Sequence, residues 1–274
     1  MGLLEGKRAL ITGIANERSI AYGIAQSFHR EGAELAFTYA NEKLKKRVEE
    51  IAQEFGSSLV FECDVSKDEH IKALREKLSE AWGSLHILVH SIAFAPKEEF
   101  KTGVIDTSRE GFKVAMDVSV YSLIALTREL LPLMEGKEGS IITLSYYGAE
   151  KVVPHYNVMG IAKSALECTV RYLAYDIAKY GHRINAISAG PVKTLAAYSI
   201  TGFHLLMEHT TKVNPFGRAI TIEEVGDTAV FLCSHWARAI TGEVVHVDNG
   251  YHIMGVFGRE EDIKKEVFGG GVSA

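Results

Sequence analysis

Short β-rich runs alternate with longer segments of helical period from one end of this chain to the other. A sequence of that kind can bury its apolar faces as a parallel sheet covered by helices on both sides. Seven runs read as strands: Ala9 to Thr12, Glu34 to Tyr39, Leu59 to Cys63, Ile87 to His90, Ser140 to Leu144, Arg183 to Ser188 and Glu243 to Val247. Between them Leu44, Val48, Ile51 and Phe55, and likewise Ile71, Leu74 and Leu78, fall at helical spacing, so each helix offers one apolar stripe to the sheet. Three helix starts carry the spacing of a capping box: Ser66 with Glu69, Thr107 with Glu110, and Thr221 with Glu224. No repeat, low-complexity linker or composition shift interrupts the pattern. It predicts one α/β domain with a doubly wound, seven-stranded parallel sheet over residues 1–255, followed by a partly mobile tail over 256–274.

The 274 residues are ample for a large core, and 47% hydrophobic with 24% charged residues excludes a disordered or fibrous chain. A net charge of -5 gives no electrostatic case for nucleic acid or an anionic membrane. The amino terminus, Met1-Gly-Leu-Leu-Glu-Gly-Lys-Arg8, runs straight into a strand and lacks the order of a secretion signal. No apolar run approaches the roughly 18 residues that span a bilayer. Cys63, Cys168 and Cys233 are widely separated and read as reduced thiols of a cytoplasmic protein. The His and Cys residues have no metal-ligand spacing, His204 and His209 included, so no metal is expected.

The first strand leads into Thr12-Gly-Ile-Ala-Asn-Glu-Arg-Ser-Ile-Ala-Tyr-Gly-Ile-Ala25, with Gly13 at the turn and Ser19 at the helix start. A helix start presents free backbone N–H groups and a positive dipole end, which suit a pyrophosphate. The spacing departs from G-x-G-x-x-G: a hydroxyl stands where a glycine is common, and an ordinary strand-to-helix turn is the alternative. The second strand ends in Tyr39-Ala-Asn-Glu-Lys43, where the absence of an adjacent Arg favours NADH over NADPH. Asp64 and Val65 could bond and cover an adenine, or Asp64 could simply enter a helix. After the fourth strand, His90-Ser-Ile-Ala-Phe-Ala-Pro96 offers small residues for close backbone approach, while His90 itself reads as a satisfied core residue.

Past the fifth strand come Ser145, Tyr146 and Tyr147, then Tyr156 and Lys163. The carboxyl ends of strands are where open α/β sheets bind ligands. A neutral phenol can donate to a carbonyl oxygen as negative charge develops, and an ammonium can hold ribose hydroxyls. On a helix, seven residues keep two side chains on one face about 10.5 Å apart, which leaves ribose binding as the main task of Lys163. Tyr147 with Lys151 and Tyr175 with Lys179 have the shorter spacing of four. The first pair lies before the Pro154 break and the second at a helix end before Gly181, so both read as structural or solvated.

Gly13-x5-Ser19-Ile-Ala-Tyr-Gly-Ile-Ala25, Ser91-Ile-Ala-Phe-Ala-Pro96, Leu144-Ser-Tyr-Tyr-Gly-Ala149, Tyr156-Asn-Val-Met-Gly-Ile-Ala-Lys163 and Asn185-Ala-Ile-Ser-Ala-Gly-Pro-Val-Lys-Thr-Leu195 closely resemble bacterial enoyl-acyl-carrier-protein reductases. These form a divergent branch of the short-chain dehydrogenase/reductase superfamily, with a Rossmann fold. The resemblance spans residue 2 to about residue 254. It implies NADH-dependent reduction of trans-2-enoyl thioesters on acyl carrier protein in fatty-acid elongation, by a homotetramer. It implies that Tyr156 binds the thioester carbonyl and stabilises the enolate, that Tyr146 is a second site tyrosine, and that Lys163 holds the nicotinamide ribose. It further assigns Gly13, Ser19, Ile20, Ala40, Asp64, Val65, Ser91, Ile92, Val192, Thr194, Leu195 and Ala196 to the cofactor, with Ala40 offering only backbone and methyl contact. Phe94, Ala95, Met159, Ile200, Phe203 and Leu206, with both tyrosines, would meet the substrate, under a lid over residues 194–207. Relatives often carry basic residues there for the acidic carrier, where this chain has Thr201, His204 and Leu205. Two other readings stay open on the residues alone: a carbonyl or alcohol oxidoreductase of the superfamily, such as a 3-ketoacyl reductase, and a nucleotide-binding scaffold without turnover.

Overall fold

In the computed structural model, which describes residues 2–194 and 203–255, each strand comes from a run of alternating or wholly apolar residues. The strands are β1 (Arg8–Thr12), β2 (Glu34–Tyr39), β3 (Val60–Glu62), β4 (Ile87–His90), β5 (Ser140–Ser145), β6 (Arg183–Ala189) and β7 (Val244–Val247). All pair in parallel, in the order β3-β2-β1-β4-β5-β6-β7. The seven expected strands are present, with ends shifted by at most one residue. The helices are α1 (Ile20–Arg30), α2 (Glu42–Glu54), α3 (Asp68–Trp82), α4 (Arg109–Met116), α5 (Ser122–Met134), α6 (Val158–Ala178), α7 (Phe203–Val213) and α8 (Ile222–Cys233).

Successive strand side chains point to opposite faces, so Ile11 and Val89 join one buried cluster while Leu10 and Leu88 join the other. The first cluster is completed by α1, α2 and α8 and the second by α3, α5 and α6. Both sheet faces are therefore dry, as an all-parallel sheet requires. Because β4 crosses to the far side of β1 from β2, a crevice opens at the carboxyl ends of β1 and β4.

On the first face, α1 and α8 touch through glycine. A Cβ at Gly226 would lie 2.4 Å from the Gly23 carbonyl oxygen and 2.5 Å from Ser27 Oγ. Both nearest obstacles belong to a packed helix, so Gly226→Ala is expected to cost about 1–3 kcal/mol of stability by overpacking. Denaturant unfolding with an unchanged midpoint would contradict this.

Of the three expected capping boxes, Thr221 and Glu224 form one. The other two do not form, for local reasons. Ser66 gives its hydroxyl to Asp64 Oδ1 at 2.7 Å, and α3 starts from Lys67 without a side-chain cap. Ser108 rather than Thr107 caps α4 by accepting from Gly111 N, while the Glu99 carboxylate accepts from the Ser108 N–H and O–H. Glu99 thus serves from outside the helix in the role expected of Glu110. Among the described residues no helix is long and apolar enough to cross a membrane, and no group of three or more His, Cys, Asp or Glu could hold a metal ion. The expected tail over 256–274 lies outside the described residues.

Candidate active site

Gly13 ends β1 with φ +78, a conformation that glycine adopts without strain. One side of it is open to solvent, and on the other a Cβ would stand 1.9 Å from the Ser91 carbonyl oxygen. The turns after β1 and β4 are thus in contact at the crevice, and Ser91 and Ile92 enter the site beside Gly13. Ser19 caps α1: its hydroxyl donates to Asn16 O at 2.7 Å and accepts from Tyr22 N at 3.3 Å. The first turn of α1 consequently faces the same edge with its donor end forward.

Asp64 is already engaged, with Oδ1 accepting from Ser66 N and O–H and Oδ2 paired with Lys67 at 3.2 Å. The helix-entry reading of Asp64 is the one this geometry favours. Val65 beside it is buried, and Ala40 is exposed at the end of β2. Val192 packs on the α1 side of the sheet with Ile20, whereas Ala95, Met159, Ile92 and Tyr156 belong to the α6 side. Phe94 is 54% exposed, although its backbone N–H and C=O are both held by Ser119 Oγ. Thr194 closes the described stretch after β6; Leu195, Ala196 and Ile200 lie outside the described residues. Phe203 is buried and Leu206 half-buried on α7.

The tyrosines meet: the Tyr146 and Tyr156 rings pack edge to face with centroids 4.9 Å apart. Tyr156 does not stand on a helix, which corrects the expected spacing along one helical face. It precedes α6 by two residues, between His155 and Asn157, whose φ values of 65 and 45 make a tight entry turn. Asn157 is pinned there by its side-chain amide, which donates to Glu99 O at 3.0 Å and Thr102 O at 2.5 Å. Such backbone persists only where neighbouring structure enforces it. Gly148 backs the phenol, because a Cβ there would lie 2.5 Å from the Tyr156 ring. Burial pushes both phenols above their usual range, so each is a neutral donor at any physiological pH. The Tyr146 hydroxyl is buried and has no hydrogen-bond partner among the described residues.

Lys163, on the inner face of α6, donates to the Leu144 carbonyl at 2.6 Å. Burial lowers its ammonium to about 8, and the charge of Glu167 acts in the opposite direction. An ammonium has three donors, so the strand carbonyl leaves two for a ligand. His90 is closed on both nitrogens, by Thr143 Oγ1 at 2.9 Å and Ser122 Oγ at 2.8 Å, and burial holds it down to about 3. It is a neutral core residue, as its place inside a strand suggests. Tyr175 is 85% exposed and Lys179 lies over the Tyr180 ring, so that pair faces solvent. Tyr147 sits in a single 3-10 turn before Lys151 and packs on Tyr251.

Sequence reasoning missed Gly148 and Glu167. Gly148 leaves no periodic signal; Glu167 does, as a carboxylate four residues from Lys163 on the apolar face that carries Leu166 and Val170.

A cavity of about 600 Å³ opens beside α7, between Lys193, Phe203, Met207 and Ala219. A smaller one of about 330 Å³ reaches Tyr156 past Gly148 and Gly160. The open Gly13, the capped start of α1, the spare donors of Lys163 and the unpaired Tyr146 hydroxyl together fit a dinucleotide beside a carbonyl-bearing substrate.

Comparison with known proteins agrees. The enoyl-(acyl carrier protein) reductase family matches residues 13–252. The enoyl-acyl-carrier-protein reductase (NADH) of Aquifex aeolicus is 86% identical over 269 residues, 98% of this chain and 100% of that protein. A crystal structure of that enzyme from the same organism has a TM-score of 0.92 at 85% identity, covering 93% of this chain and 100% of that one. The Bacillus cereus enoyl-acyl carrier protein reductase, solved with NADP+ and an indole naphthyridinone, has a TM-score of 0.91 at 48% identity, covering 93% and 100%. The Anaplasma phagocytophilum reductase, solved with NAD, has a TM-score of 0.91 at 47% identity, covering 94% and 98%. With its turn, tyrosine pair and lysine arranged as described and its sequence matched over nearly its whole length, the chain belongs to the enoyl-acyl-carrier-protein reductase family.

Proposed function

We infer that this chain reduces the carbon–carbon double bond of trans-2-enoyl thioesters on acyl carrier protein, with NADH, in fatty-acid elongation. The observation that carries the reading is the Tyr146–Tyr156 pair: two neutral phenols ring to ring beside a strand end held by Lys163. Tyr156 donates to the thioester carbonyl oxygen and stabilises the enolate that forms there, where a positioned donor is worth most. Tyr146 supplies a second hydroxyl, which makes no hydrogen bond among the described residues. Lys163 fixes the nicotinamide ribose, while Gly13, Ser91 and the start of α1 admit and hold the pyrophosphate. NADH, when bound, supplies the hydride for the β-carbon. Val65, Ile20, Ile92, Val192, Thr194 and the backbone of Ala40 complete the cofactor side. Phe94, Ala95, Met159, Phe203 and Leu206 face the acyl chain.

The outer face of α6 supports assembly with further copies. Ile161, Cys168, Tyr172 and Tyr175 recur along it at helical spacing, all exposed, with Tyr172 at 73%. A stripe of that kind on one helix is the pattern of a subunit contact, in keeping with a homotetramer. Three free cysteines fit a reducing cytoplasm.

The test is NADH oxidation with trans-2-enoyl thioesters of acyl carrier protein and of coenzyme A, run beside NADPH. Turnover with NADH is expected, and no turnover with either carrier overturns the reading. Activity with a 3-ketoacyl thioester and none with the enoyl form would instead support a carbonyl reductase. Lys163→Ala is expected to raise the Kd for NADH at least tenfold, by loss of a charged hydrogen-bond donor at the ribose. Equilibrium titration of NADH measures this directly.

A further inference from the structure

Lys163 and Glu167 stand one turn apart on the inner face of α6, both buried, and each reaches one of the last two residues of β5. Lys163 donates to the Leu144 carbonyl at 2.6 Å, and Glu167 Oε1 accepts from the Ser145 hydroxyl at 2.5 Å. Tyr146 follows at once, so a single helix face fastens the strand end that presents this tyrosine. A carboxylate is expensive to bury without a partner. Burial pushes the Glu167 carboxyl above its usual range, and the hydrogen bond from Ser145 opposes that shift by favouring the ionised form.

We propose that Glu167 is a positioning residue, which fastens the end of β5 through Ser145 and supplies the counter-charge that keeps Lys163 an ammonium directed at the cofactor ribose. The proposal rests on the NADH-dependent reading above. Lys163 lies beside the neutral His90 and the apolar α6 side of the sheet, and among the described residues Glu167 is the charge that supports its protonated form. Glu167 in turn feels Glu150, His246 and Arg171 towards the surface. His246 Nε2 lies 2.7 Å from Glu150 Oε1, which places both of these groups together at the surface side of Glu167.

The sign of the effect is fixed. Burial sets the Lys163 ammonium to titrate near 8, so the charged form is lost as pH rises through that value. Removing the Glu167 charge moves the loss to lower pH. Glu167→Gln keeps an oxygen for Ser145 and removes the charge; Glu167→Asp keeps the charge on a shorter stem.

The experiment follows Lys163 Nζ by NMR of nitrogen-labelled lysine in the ligand-free protein across the alkaline range, and titrates NADH at pH 8. Glu167→Gln is expected to lower the Lys163 midpoint by roughly 1 unit and to weaken NADH binding roughly fivefold, the change that such a fall in protonated fraction produces. Glu167→Asp is expected to restore both towards the parent. An unchanged Lys163 midpoint in Glu167→Gln overturns the proposal, as does equal NADH affinity in Glu167→Gln and the parent. If the parent protein binds no NADH, the functional reading fails, while the midpoint still decides whether Glu167 sets the charge of Lys163.

Discussion

Tyr156→Phe is expected to lower kcat for an enoyl thioester by about 10²–10³, the usual cost of removing one donor from a developing oxyanion. The Kd for NADH should stay within a factor of two or so, since the proposed ribose contact is made by Lys163 and the ring that packs on Tyr146 and Gly148 is retained. Burial leaves the phenol neutral throughout the working pH range, so the loss should be the same at pH 6 and pH 9. Steady-state kinetics with an independent NADH titration separates the two quantities. Equal losses in turnover and in cofactor affinity would contradict the division of labour between Tyr156 and Lys163.

Gly13→Ala is expected to abolish measurable NADH binding and to destabilise the fold. A methyl group there meets the Ser91 carbonyl oxygen at 1.9 Å and its carbon at 2.5 Å, and both are backbone atoms that cannot rotate away. Relief requires the turns after β1 and β4 to separate, which deforms the crevice in which the pyrophosphate would lie. The left-handed backbone adds only about 1–2 kcal/mol. Gly6→Ala isolates that smaller part, because Gly6 has φ +70 with nothing within 4 Å of its Cβ position. Fluorescence titration and thermal unfolding of both variants check the pair. Similar behaviour of the two would place the effect in backbone strain instead of the contact with Ser91.

The sheet was legible because each strand is centred on apolar or β-branched residues, and both faces of the sheet need such residues. Boundaries moved where backbone pairing extends past the apolar run, as at Arg8 and Ser145. Capping was legible at Thr221 but not at Ser66 or Thr107. There Asp64 and Ser108, one or two residues away, competed for the same hydroxyls and N–H groups, and a spacing rule cannot weigh neighbours. The identities of Tyr156 and Lys163 were readable, yet their geometry was not. The entry turn through His155 and Asn157 depends on Asn157 reaching Glu99 and Thr102, more than fifty residues earlier. Glu167 escaped notice because its meaning lies in Ser145, which reaches it only after β5 and α6 have packed.

The contact between α1 and α8 joins residues about two hundred apart, with Ser27 Oγ donating to Asp227 Oδ1 at 2.8 Å. During synthesis, α1 must therefore wait, one face bare, until the segment through Cys233 has emerged from the ribosome. The first face of the sheet is thus closed by α8, the last α-helix among the described residues, and not by the amino-terminal half alone.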